Sequence, residues 1–295
     1  MEIIILVIAV SLGIALHILS SIQLGKIFQA ALEKKPPVDN TAPPRFYITG
    51  DKHRDFSDVE RFCKENGTRK KDVLIILGDS GFNYYGDNQD LKLKAKAANW
   101  DITLFCLHGN KENRPQNIPT YGLRDFCGGK VLYEPSFPNI LFAIDGEIYH
   151  FGDKDYIVAG GAHSVDKIKC LVKGKPFWED EMPGDEIKTT VEKQLAARGH
   201  KIHGVLTHTC PVRYLPTEMF LSTREKASKK KKKSTLHFPK DIDRSTEIWL
   251  EEIERKLDYR EWFCGHYHVD KQIDKITMMY SEIRPLYNEN PCSDC

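Results

Sequence analysis

Five short apolar runs punctuate the chain, and each is followed by a residue type that binds metals. Phe46-Tyr47-Ile48-Thr49, Val73-Leu74-Ile75-Ile76-Leu77, Thr103-Leu104-Phe105-Cys106-Leu107, Gly204-Val205-Leu206-Thr207 and Glu261-Trp262-Phe263-Cys264 are rich in β-branched or aromatic residues and bounded by turn residues. They predict buried strands. Between them, Ser57-Asp58-Val59-Glu60 matches a capping box and predicts a helix start, while Asp185 to Arg198 and Ser245 to Leu257 show helical spacing of apolar residues. Asn139 to Phe151, with Asp145-Gly146 between apolar halves, predicts a hairpin, and Lys271 to Tyr280 a further strand. The pattern predicts an α/β fold of two mixed β-sheets packed as a sandwich flanked by helices.

The amino terminus has a different pattern. Ile3 to Ile22 is almost uninterruptedly apolar, and at about 1.5 Å per residue it matches the roughly 30 Å hydrocarbon core of a bilayer. No basic residue precedes it and no small-x-small site closes it, which favours one uncleaved transmembrane helix over a cleaved signal. Glu2 lies before the segment and Lys26, Lys34 and Lys35 after it, so the positive-inside tendency places the following domain in the cytoplasm. The expected organisation is an anchor over 1–25, a juxtamembrane helix and Pro-rich linker over 26–44, a catalytic domain over 45–285 and a tail over 286–295. The linker Pro36-Pro37-Val38-Asp39-Asn40-Thr41-Ala42-Pro43-Pro44 cannot continue a helix and predicts a semi-extended spacer.

Composition changes this picture little. Lys+Arg 43 against Asp+Glu 42 implies neither nucleic acid nor an anionic membrane as a partner, although nucleic acid stays open as a substrate. Lys229 to Lys233 reads as a solvated loop, and no protein partner is evident. Among the eight cysteines, Cys106, Cys210 and Cys264 sit in apolar strand contexts and read as reduced core thiols; Cys292 and Cys295 belong to the tail.

The chemistry lies at the ends of the runs: Asp51-Lys52-His53, Gly78-Asp79, Gly109-Asn110, His208, and Gly265-His266-Tyr267-His268. In layered α/β folds, loops leaving the carboxyl ends of strands converge on one sheet edge. Carboxylate, imidazole and carboxamide without thiolate suit two borderline divalent ions, manganese, iron or zinc, rather than a structural zinc or calcium. Asp-x-His places two ligands on one side of an extended segment, and Asp79 could bridge ions about 3.5–4 Å apart, the spacing that clamps a phosphoryl group.

These motifs, from about Arg45 to His268, resemble the calcineurin-like metallophosphoesterases, whose signature runs Asp-x-His, Gly-Asp-x-x-Asp, Gly-Asn-His-Asp/Glu, a lone His and Gly-His-x-His. The resemblance implies that Asp51, His53, Asp79 and His268 hold one ion and Asp79, Asn110, His208 and His266 the other. It also implies hydrolysis of an anionic phosphomonoester or phosphodiester by a hydroxide bridging the ions, with Asn110 and His208 among the catalytic groups and no covalent intermediate.

Two departures stand out. Ser80-Gly81-Phe82-Asn83 follows Asp79 without the Asp-Arg-Gly extension of Ser/Thr protein phosphatases, and Lys111 stands where the family has a histidine. Lys111 has three readings: a proton donor, an electrostatic holder of phosphate, or the mark of a membrane-tethered binding module with little hydrolysis. The second is adopted. Lys52, Arg54 and Arg114 flank the motifs and suggest a cationic rim that binds substrate. His163, in Gly160-Gly161-Ala162-His163-Ser164, reads as structural or exposed, with a substitute acid as the competing reading; His108 is equally ambiguous.

Overall fold

The computed structural model describes residues 41–165, 167–216 and 242–287. The predicted anchor, most of the linker, the lysine run and the tail cysteines lie outside the described residues. Among the described residues, no helix is long and apolar enough to cross a membrane.

Among the described residues, thirteen strands form two sheets. The first contains β1 (Phe46–Thr49), β2 (Val73–Ile76), β3 (Thr103–Cys106), β4 (Gly122–Phe126), β5 (Gly129–Tyr133), β6 (Ile140–Ala143) and β13 (Arg284–Pro285), in the order β13-β1-β2-β3-β6-β5-β4. The second contains β7 (Ile148–Phe151), β8 (Lys154–Ala159), β9 (Gly204–Thr207), β10 (Glu261–Cys264), β11 (Lys271–Ile273) and β12 (Ile276–Met278), in the order β11-β12-β10-β9-β8-β7. Each has a parallel centre, β1-β2-β3-β6 and β12-β10-β9-β8, with antiparallel strands outside it. Strands covered on both faces need apolar residues at every position, which is why the central segments read as unbroken runs rather than alternating ones.

Alternation reappears in where those residues go. Ile48, Ile75, Phe105, Val158, Leu206 and Phe263 share one core between the sheets. Their neighbours Tyr47, Leu74, Ile76, Leu104 and Cys106 pack instead with residues of α1 (Ser57–Asn66) and α2 (Asn88–Ala97). Val205, Trp262 and Cys264 meet Val191 and Leu195 of α4 (Asp185–Ala197) and Trp249, Leu250 and Ile253 of α5 (Ser245–Glu254). A short α3 (Lys167–Val172) lies between β8 and α4 in sequence. The predicted sandwich with outer helices is therefore the observed fold.

Four local expectations are corrected. Ser57 is the first helical residue of α1, not its cap: Phe56 occupies that position, Ser57 N donates to Asp55 Oδ1 at 3.0 Å, and Glu60 turns to Lys64 and Lys96. Asp145-Gly146 does not close a hairpin, because β6 and β7 belong to different sheets; the turn carries the chain across the sandwich, with Gly146 at φ 87. Lys271 to Tyr280 is not one strand but the β11-β12 hairpin, turning at Asp274 with φ 53. Leu286 is buried and its amide donates to Phe46 O at 2.9 Å, so packing continues past residue 285.

Asp72 fixes the entry to the central strands. Its carboxylate, fully buried just before β2, accepts from Arg69 Nη2 at 2.6 Å, Arg45 Nη2 at 2.7 Å and the amides of both arginines. Burial opposes its charge, yet the Arg69 and Arg45 bonds hold the carboxyl down at about 2. A depressed carboxyl stabilises the fold above the unfolded value of about 3.9, and the contribution disappears as pH falls toward 2. Asp72→Asn should therefore cost about 2–3 kcal/mol in urea denaturation at pH 7. The gap to the parent should close between pH 4 and 2; a pH-independent gap would contradict the assignment.

Candidate metal centre

The predicted ligands arise on loops at the carboxyl ends of five parallel strands, β1, β2, β3, β9 and β10. Asp51 follows β1 and Asp79 follows β2; both are almost wholly buried. His53 Nε2 stands 3.6 Å from Asp51 Oδ2 and 3.8 Å from Asp79 Oδ2. His268 Nε2 lies 3.2 Å from Asp51 Oδ2 and 2.8 Å from His53 Nε2. On the other side, His208 Nε2 is 3.8 Å from Asp79 Oδ1 and 2.9 Å from Asn110 Oδ1. His266 stacks its edge near His208, ring centroids 5.0 Å apart. Two groups, Asp51-His53-His268 and Asp51-Asp79-His208, thus hold their ligand atoms within 4.8 Å of one another.

Backbone geometry enforces this convergence. His53, Arg54, Asp79, His266 and His268 have φ of 43, 75, 48, 68 and 51, a region side chains rarely adopt. Each such residue costs of order 1–3 kcal/mol and persists where the surrounding structure demands it, often at functional sites. The loops are stitched together: His53 N donates to Asp79 O at 2.8 Å, Lys111 N to Asp79 Oδ1 at 2.7 Å and His266 N to Asp51 Oδ1 at 2.8 Å. Gly109 and Gly265 make these approaches possible, since a Cβ at either would lie 2.1 Å from Asp79 Oδ1 or 2.3 Å from Asp51 Oδ1.

The donor chemistry fits cations. Asp51 Oδ2 is buried without a hydrogen-bond partner. His208 Nδ1 lies 2.7 Å from Leu77 O, the bond that aims Nε2 as a lone pair toward Asn110 Oδ1, itself a lone-pair donor. Burial disfavours charge on Asp51, but the His268 and His53 imidazoles close to it keep its carboxyl well below the usual range. Asp79 is pushed up, first by burial and then by the neighbouring Asp51 charge. Desolvation and His208 push His266 down to about 3, leaving a neutral ring able to donate a lone pair. A divalent ion answers each of these: it satisfies the orphaned oxygen, separates facing lone pairs and offsets paired carboxylates.

Other predicted residues fall elsewhere. Lys52 is buried and paired with Asp58 at 2.7 Å, and Arg114 is buried and paired with Asp145 at 2.7 Å, so neither forms a rim. Arg54 reaches a cavity of ≈300 Å³ beside His53, but its guanidinium holds Asp90 at 2.5 Å and Gly81 O at 2.7 Å. Lys111 also lines that cavity, its ammonium bonded to Ser164 Oγ. His163 is not isolated: its Nδ1 lies 3.5 Å from the buried Glu181. His108 is buried behind Gly109 and held well below its ordinary value, chiefly by desolvation.

Glu112 was given no role by the sequence. Fully buried, it accepts from Ser80 Oγ at 2.6 Å, Gly81 N at 3.0 Å and Gly109 N at 3.3 Å, and so braces the Asp79 loop against the Asn110 loop. Burial and Asp79 raise it to about 7. Its place two residues after Asn110 was the available signal. Tyr84, Tyr85, Cys170 and Lys175, which complete the cavity lining, left no pattern in the sequence.

A family model described as calcineurin-like phosphoesterase matches residues 44–270. Among curated proteins none matches. Among solved structures, the crystal structure of TT1561 of Thermus thermophilus is 13% identical, with 80% of this chain and 89% of that chain covered and a TM-score of 0.40.

Gly109→Ala should displace Asp79 and weaken manganese binding at least tenfold by calorimetry, at a stability cost of about 1–3 kcal/mol. Undiminished binding would show that the close approach of Gly109 to Asp79 is not needed.

Proposed function

The chain belongs to the calcineurin-like phosphoesterases, and from that premise we propose that it is a membrane-anchored hydrolase of phosphomonoesters or phosphodiesters that works with two divalent ions. The observation that supports this most is the pair of buried carboxylates, Asp51 and Asp79, ringed by His53, His208, His266, His268 and Asn110. Asp51, His53, Asp79 and His268 would hold one ion, and Asp79, Asn110, His208 and His266 the other. Manganese, iron and zinc suit this donor set. Bound there, such ions lower the pKa of water and neutralise charge on phosphoryl oxygens.

The protein's own groups do the positioning. Leu77 O orients the His208 ring, and Lys111 N and His266 N each fix one carboxylate oxygen, leaving the other free. The Lys111 ammonium, held by Ser164, offers fixed positive charge to the phosphoryl group rather than a proton. No side chain forms a covalent intermediate.

The apolar segment Ile3–Ile22 anchors the protein, and the basic residues after it keep the catalytic domain in the cytoplasm. The described cysteines, Cys63, Cys106, Cys127, Cys170, Cys210 and Cys264, are all free, as a reducing compartment favours.

Membranes from cells expressing the full chain should hydrolyse a chromogenic phosphodiester or its matching monoester when manganese is added. Asp79→Asn should lower that activity at least 10³-fold, the order expected for loss of a group central to transition-state stabilisation. Deleting residues 1–25 should move the activity to the soluble fraction. Bound metal without turnover of either ester would instead favour a tethered metal- and phosphate-binding module, and activity that stays in the membrane after the deletion would remove the anchor assignment.

A further inference from the structure

Helix α5 brings a row of carboxylates to the loop that carries His208. Glu247, Glu251 and Glu254 lie on one face of it, at i, i+4 and i+7, and all three are buried. Each accepts from the segment that follows His208. Thr209 Oγ1 donates to Glu247 Oε1 at 2.8 Å, Arg213 N to Glu251 Oε2 at 3.0 Å, and the Arg213 guanidinium to Glu254. Burying a carboxylate is costly, and apolar side chains would pack there at lower cost. What these three supply instead is a directional hold on one stretch of chain.

Glu247 reaches furthest toward the metal centre. Thr209 has one hydroxyl hydrogen, which goes to Glu247, so the Tyr267 hydroxyl 2.5 Å away donates to Thr209 Oγ1. Tyr267, Thr209 and Glu247 thus form one buried chain of hydrogen bonds. Both of its inner members adjoin ligands: Thr209 follows His208, and Tyr267 stands between His266 and His268. The Tyr267 ring lies 5.0 Å from that of His266, which in turn lies 5.0 Å from that of His208.

The backbone there needs such a tether. His266 and His268 have φ of 68 and 51, and residues in that region keep their conformation only where neighbouring contacts over-determine it. The Thr209 backbone is held separately, because Trp262 Nε1 donates to Thr207 Oγ1 at 2.7 Å and Thr207 Oγ1 to Thr209 O at 2.6 Å. Glu247 fixes the Thr209 side chain. His268 has support of its own, stacked on Tyr280 at 4.7 Å with Nε2 3.2 Å from Asp51 Oδ2. Loss of the Glu247 bond therefore falls on His208 and His266.

Building on the two-ion reading of the centre, we propose that Glu247 is a positioning residue for the second ion, the one assigned to Asp79, Asn110, His208 and His266. By holding Thr209 and, through it, Tyr267, it sets the angle at which His208 and His266 present their ring nitrogens.

Calorimetric titration of the metal-free full chain in detergent with manganese tests this without turnover. Glu247→Ala and Thr209→Val should each weaken the second ion about tenfold or more, as loss of a group that orients a ligand does. The first ion, and both ions in Thr209→Ser, which keeps the hydroxyl, should stay within about twofold of the parent. Because Glu247 and Thr209 act through one bond, the variant carrying both Glu247→Ala and Thr209→Val should bind the second ion within about twofold of the weaker single variant. Glu254→Ala removes a carboxylate from the same face of α5 that bonds Arg213 and Tyr259 instead. It should lower stability and leave second-ion affinity unchanged. Thr209→Val keeps the side chain's shape and decides the matter should Glu247→Ala fail to fold. Unchanged second-ion affinity in Thr209→Val, or an equal loss in Glu254→Ala, would overturn the proposal while the two-ion centre stands. A parent that takes up no second ion would overturn the two-ion reading, and the proposal with it.

Discussion

Two buried carboxylates facing one cluster of imidazoles set the terms for this fold. Asp51 and Asp79 each give one oxygen to a backbone amide from a distant loop, His266 N and Lys111 N, and turn the other inward. The bond from His266 N to Asp51 joins the two sheets, and the cluster needs both, because Asp51, Asp79 and Lys111 leave the first sheet whereas His208 and His266 leave the second. The core shared between the sheets, through Ile48, Ile75, Leu206 and Phe263, therefore sets the distance between the carboxylates and the imidazoles as much as it stabilises the chain. Glycines at 109 and 265 are the points where one loop's backbone must pass within van der Waals reach of the other's carboxylate.

The electrostatic design is graded outward from that centre. Asp51 stays ionised because His268 and His53 face it, whereas Asp79, sharing the site with Asp51, is held up. A third carboxyl, Glu112, is buried behind Asp79 and is braced by Ser80, Gly81 and Gly109 rather than aimed at the centre. So much negative charge in a dry site is favourable only beside cations. On the open side the sign reverses, with Lys111 and Lys175 lining the cavity. The carboxylate-lined interior and the lysine-lined mouth meet at Lys111, a single residue whose amide faces one and whose side chain faces the other.

Much of this was legible in the sequence for a simple reason. Central parallel strands need apolar residues at every position, and their carboxyl ends are where ligands gather, so β1, β2, β3, β9 and β10 and the residues after them announce themselves together. What failed depended on which partner each group takes in the folded chain. Ser57 looked like a helix cap, but Asp55 accepts its amide and the helix begins there. Asp145-Gly146 looked like a hairpin turn because both flanks are strands, yet only tertiary packing assigns them to different sheets. Lys52 and Arg114 looked like rim charges until Lys52's partner Asp58 and Arg114's buried partner Asp145 were in view. Glu112 gained its role only from what the fold brings beside it.

The central claim is that Asp79 sits between two ions in one site. Titration of the metal-free full chain with manganese, followed by electron paramagnetic resonance, tests it most directly. The account predicts two ions per chain with a spectrum showing exchange coupling, as a shared carboxylate requires. A single uncoupled ion, or two ions that behave as isolated centres, would contradict it.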